Sequence, residues 1–212
     1  MKRILFRTTS TLLVLAVSFV PVYAHHGTQF LTKAMEANSA EVKLGELAQT
    51  KAQDKRVKEL AAMIVKDHTM ALDQMQMLMQ QRRDAKVTNE NVNWHTMQPT
   101  PIHQKTFDRL SKLSGNEFDR QFIATMISNH QAGIRDFETH AHSHGSGATT
   151  DSANTTTGRQ KPTPRDNVKV DYARDTDTIA FANDTLPTMK HHLEIAQNID
   201  KELKAGTPVS SR

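Results

Sequence analysis

Four side chains able to ligate a metal, Glu41, His68, His130 and His192, each fall in a stretch whose apolar residues recur at three- and four-residue steps. His68 is four residues after Ile64 and four before Leu72, and His130 stands in the same relation to Met126 and Ile134. Glu41 follows Ala37 by four residues and precedes Leu44 by three, while His192 lies at the edge of a stripe that includes Met189, Leu193 and Ala196. This is the period of amphipathic helices, so each helix carries one titratable group toward a core. If the four meet, imidazole and carboxylate suit a transition metal ion such as Fe, Zn, Mn or Cu. Asp67 or Asp119 could orient an imidazole from behind. The competing reading is a satisfied hydrogen-bond network that fixes helix register.

The pattern also excludes a chemistry. A di-iron centre needs two Glu-x-x-His pairs and two further Glu. Three residues before His68, His130 and His192 stand Val65, Ile127 and Met189. What remains is a mononuclear set of three His and one Glu. A second, weaker group lies outside the stripes: His140, His142 and His144 in HAHSH, and His25 at the expected mature terminus. Short His-rich tracts bind Cu, Zn or Ni loosely, against the plainer expectation of solvated residues at a helix end. Met70, Met75, Met77 and Met79 offer soft thioethers, but Met75 and Met79 fit the core stripe, where Met is an ordinary filler. No Gly-x-Ser-x-Gly turn and no phosphate-cradling Gly-rich loop is present.

The elements that must position these groups are long helices. Residues 54–83 hold Val57, Leu60, Ile64, Leu72, Met75 and Met79 in phase, with no Gly or Pro, Asp54 at the start and Arg82 and Arg83 at the end. Residues 28–52 form an earlier helix, in which Gly45 implies close approach to a neighbour beside Glu41. Residues 84–101 lose the period, and Trp94 within them is expected to pack back on the core. A short helix over 102–113 follows Pro101. Ser114-Gly115-Asn116-Glu117 has the form of a capping box and opens a helix over about 116–141. A Ser-, Thr- and Gly-rich loop over 143–175 precedes a last helix over 176–204, with Pro187 inside it. Four long helices and no strand predict an all-α protein, an antiparallel four-helix bundle. The long connection between helices two and three is the crossover that ferritin-like bundles use.

Composition sets the context. Lys2, Arg3 and Arg7, the apolar run Thr11–Val20 and Pro21-Val22-Tyr23-Ala24 read as a signal peptide over 1–24, too short in its apolar part to span a bilayer. The bundle then occupies 25–206, with a tail over 207–212 and no transmembrane segment after cleavage. With no Cys, disulfides, thiolate metal sites and a lipid-modified Cys are all excluded. Removing three leader residues from the 27 Lys and Arg leaves 24 against 23 Asp and Glu, mixed along the helices, which gives no surface for nucleic acid.

The motifs FLTKAMEANSAEVKLGELA, KDH, FDRQFIATMISNH and LPTMKHHLEIA, in this order over about residues 28–204, resemble those of domain-of-unknown-function family 4142, a group of exported bacterial proteins of the ferritin-like superfamily. The matching positions are Glu41, then Asp67 and His68, then Phe118, Asp119 and His130, then Leu186, Pro187 and His192. The resemblance implies a ferritin-like bundle and little about activity. Three readings follow. The first is an exported periplasmic bundle with a metal in its core, acting in envelope homeostasis or stress tolerance. The second is a redox or hydrolytic metalloenzyme on the same residues. The third is a metal-free structural or interaction module with the 143–175 loop as its binding segment.

Overall fold

The structure is a computed structural model. It describes residues 24–84, 91–142 and 166–205, with the side chains of 24–25, 84 and 166–174 outside that description. The leader's apolar run and the segment 143–165 therefore lie outside the described residues. Five α-helices and one 3-10 turn make up the described chain: α1 (Ala24–Lys51), α2 (Lys55–Asp84), the turn Trp94–Thr96, α3 (Pro101–Ser111), α4 (Gly115–His142) and α5 (Asp166–Ala205). There is no strand among the described residues, and no helix among them is long and apolar enough to cross a membrane.

Contacts between the helices give their directions. On α1 and α2, Gly27 lies beside Arg82, Glu41 beside His68, and Gly45 beside Val65, so the two are antiparallel. Arg56 pairs with Glu202, Asp67 with His192 and Arg82 with Asp175, which sets α2 antiparallel to α5. His130 meets His192 and His140 meets Thr178, so α4 also opposes α5. Phe30 against Phe137 and Glu41 near His130 set α1 against α4. Hence α1 and α5 run one way, and α2 and α4 the other. The chain must return along the molecule between α2 and α4. It does so with Trp94 and Met97 packed at one end of the core and Phe107 and Leu110 at the other. Trp94 is pinned by its indole N–H, which donates to Asp73 at 3.0 Å.

The apolar interior is in two parts. One holds Leu44, Leu60, Ile64, Phe118, Phe122, Met126 and Ile199. The other holds Leu31, Met35, Leu72, Met75, Ile134, Phe137 and Met189. On α2 the break falls between Ile64 and Leu72, on α4 between Met126 and Ile134, and on α5 between Met189 and Ala196. His68, His130 and His192 occupy those three gaps. A polar layer thus separates the two apolar parts at one height.

Gly45 has the role its position implied. A Cβ there would stand 2.7 Å from Val65 Cγ2 and 3.1 Å from the Ala61 carbonyl oxygen. The lost helix propensity is offset by close approach of α1 to α2, which brings Glu41 within reach of His68. Gly45→Leu is expected to destabilise the protein by about 2–3 kcal/mol through overpacking, measured by urea denaturation. A variant as stable as the parent would show that this contact is not tight.

One helix boundary and one side-chain placement differ from the sequence pattern. The last helix begins at Asp166 rather than near 176, so the second part of the loop expected over 143–175 is helical. Its tenth residue, Asp175, is buried against Arg82, a long-range pairing that no local pattern encodes. Asp119, expected to orient an imidazole, is fully buried elsewhere. Its two carboxylate oxygens accept from the backbone N–H groups of Gln53 (3.1 Å) and Asp54 (2.8 Å) in the α1–α2 turn. It sits at the start of α4, eleven residues from His130, or about 16 Å along the helix axis.

Candidate metal centre

α2, α4 and α5 each present one imidazole to the same point. The ring centroids form a nearly equilateral triangle: His68–His130 5.5 Å, His68–His192 5.6 Å and His130–His192 5.3 Å. One donor nitrogen from each lies within 4.8 Å of the other two. The three residues retain 6%, 2% and 1% of their exposure, so His192, expected at a stripe's edge, is the most buried of the set.

Two of the outer nitrogens are engaged in hydrogen bonds. His130 Nδ1 is 3.0 Å from the Met126 carbonyl oxygen, which can only accept, so the proton of a neutral His130 is on Nδ1. His192 Nε2–H donates to the Asp67 carboxylate at 3.0 Å, which places that ring's proton on Nε2. His68 Nδ1 lies 3.2 Å from Glu41 Oε2, close enough for strong charge attraction. That approach lacks hydrogen-bond direction, however, and leaves the buried nitrogen without a hydrogen-bond partner. The neighbouring carboxylate favours the proton on Nδ1 and leaves Nε2 as the free donor.

One consequence is unusual. His130 Nε2 and His192 Nδ1 face each other at 3.3 Å. With both outer nitrogens protonated, two neutral rings present lone pair to lone pair. A proton or a metal cation between them would relieve that opposition. Burial is the largest cause holding His68 down to about 4, with His130 and His192 acting in the same sense against the pull of Glu41 and Asp67. Burial likewise lowers His192, against its hydrogen bond to Asp67. Near neutral pH, His68 and His192 are therefore neutral and have lone pairs to offer. The donor set fits an ion that accepts imidazole nitrogen.

Glu41 joins the layer but from outside the triangle, 3.2 Å from His68 Nδ1 and 3.8 Å from His130 Nδ1. The weak histidine candidates do not join it. His140, expected among solvated residues at the helix end, is buried instead, stacked on Phe30 at 3.9 Å and bonded through Nε2 to the Thr178 hydroxyl at 2.9 Å. The signal was available: His140 follows Phe137 by three residues and continues its stripe. His142 is exposed, while the His25 side chain and His144 lie outside the described residues. Met75 and Met79 are core residues, and Met70 and Met77 point to solvent, so the four methionines do not converge.

The class that fold and site define is an all-helical protein with a buried three-histidine cluster. The chain belongs to the family described as domain of unknown function (DUF4142), whose model matches residues 16–159. The matched stretch contains Glu41, Asp67, His68 and His130 but ends before α5, so the LPTMKHHLEIA motif with His192 lies outside it. No curated protein and no solved structure matches the chain.

Proposed function

We propose that this is an exported, ferritin-like four-helix bundle that holds one transition metal ion between His68, His130 and His192, braced by Glu41, and serves envelope homeostasis or stress tolerance. The carrying observation is the 3.3 Å approach of His130 Nε2 to His192 Nδ1 with both outer nitrogens on acceptors. The ferritin-like reading is supported by the order of helix directions, with one long connection between two parallel helices. Export to the periplasm is supported by the leader pattern of residues 1–24.

The test is elemental analysis of untagged protein purified from its native compartment, beside a Glu41→Ala, His130→Ala double variant and a His142→Ala control. About one equivalent of metal is expected in the parent and the control and none in the double variant. A metal-free parent would overturn the reading. A second reading, a redox or hydrolytic metalloenzyme, is favoured by one feature: three nitrogens leave a four-coordinate ion one position for water or substrate. Binding of azide to the Co(II)-loaded protein, read from its visible bands, would support it, and bands indifferent to azide would count against it.

A further inference from the structure

The mixed use of ring nitrogens narrows what the cluster can take, and this step rests on the metal reading above. We infer that the centre takes a small four-coordinate divalent ion of the zinc class through His68 Nε2, His130 Nε2 and His192 Nδ1, and that Asp67 is the positioning residue that makes His192 an Nδ1 donor.

Three observations carry this. The first is distance. Metal–nitrogen bonds of about 2.0–2.1 Å separate two nitrogens of a tetrahedron by about 3.3 Å, and His130 Nε2 and His192 Nδ1 are 3.3 Å apart. The second is donor type. The converging atoms are all imidazole nitrogens, whereas Mg, Ca and Mn favour oxygen. The third is charge. Neutral imidazoles cannot offset a buried cation. Two carboxylates flank the triangle, Glu41 at 3.2 Å from His68 and Asp67 at 3.0 Å from His192, and together they match a charge of two.

The role of Asp67 follows from helix geometry. It adjoins His68 in sequence, so on α2 the two side chains diverge by about 100°. His68 enters the core, while Asp67, whose side chain keeps 29% of its exposure, reaches α5. There its carboxylate accepts the Nε2 proton of His192 and turns Nδ1 toward the other two rings. Carboxylate, imidazole and metal in this order fix both tautomer and ring orientation.

The experiment uses the untagged chain stripped with a chelator, titrated separately with Zn(II), Co(II) and Mn(II). The parent is expected to bind one Zn(II), and Co(II) is expected to show the intense visible bands of four-coordinate geometry. Asp67→Ala should weaken Zn(II) about 10- to 100-fold and shift the Co(II) bands, with helix content by circular dichroism unchanged. Asp67→Asn keeps an acceptor oxygen without the charge, so it should restore the Co(II) band positions and only part of the affinity. Parental affinity and spectrum in Asp67→Ala, the weak spectrum of six-coordinate Co(II), or preference for Mn(II) over Zn(II) would each overturn this assignment and leave metal binding standing. A parent that binds neither Zn(II) nor Co(II) would overturn this assignment, and a parent that is also metal-free from its native compartment would overturn both.

Discussion

Asp175→Ala is expected to cost the fold about 3–5 kcal/mol, because it removes a carboxylate that faces a buried guanidinium. Arg82 Nη2 lies 3.2 Å from Asp175 Oδ1, and the two side chains keep only 3% and 7% of their exposure. The packing leaves Arg82 no easy escape. Gly27 closes over it so tightly that a Cβ there would stand 2.5 Å from Arg82 Nη2. Losses of this size should lower the melting temperature by roughly 10 °C or more. The double variant Arg82→Met, Asp175→Leu removes both charges and should recover most of the loss, since well-packed apolar pairs often match buried ion pairs. A single variant losing under about 1 kcal/mol would mean that the pair is hydrated in solution.

Acidification should destabilise the metal-free protein well before its carboxylates titrate. The ordinary imidazole value is 6.5, and in the fold His68 is pushed down to about 4, chiefly by burial. Between those values the unfolded chain binds a proton that the folded chain refuses. Stability is therefore full above about pH 6.5, falls as the pH drops toward 4, and levels off below it. A displacement of this size corresponds to a loss on the order of 3 kcal/mol. His192, also lowered by burial, contributes with the same sign. Urea denaturation of chelator-stripped protein at several pH values between 7.5 and 4 measures the slope, and His68→Gln should flatten it. Stability that rises on acidification through this window would contradict the burial of neutral rings. Bound metal should steepen the dependence, because protons compete for the same nitrogens.

Both results trace to groups whose inward placement was only partly legible in the chain. The local period put Glu41, His68 and His130 on apolar stripes, and the structure buries all three. His192 read as an edge residue because its own stripe is ragged, but α5 is covered by α2 and α4 together, and the overlap seals it. His140 follows the same logic at the other end of the molecule, where Phe30 on α1 and Thr178 on α5 cover it. The stretch 166–175 lacks a periodic apolar face and reads as loop. Its helical end is tied down through Asp175 by Arg82, 93 residues away in sequence.

By itself, the amino-acid order determined the helical class, the approximate extent of the helices and the faces that carry titratable groups, because these depend on steps of three and four residues. It also determined that thiolate and di-iron chemistry were excluded, because those need residue types or spacings the chain lacks. Only the tertiary structure decided that three of the imidazoles share one height, since height depends on helix direction and register across a long connection. It alone decided that Asp67 serves His192 on another helix while its neighbour His68 faces the core, and that Asp119 caps a turn. A side chain's partner is chosen by which helix lies opposite, and that is a property of packing, which sequence spacing along one helix cannot carry.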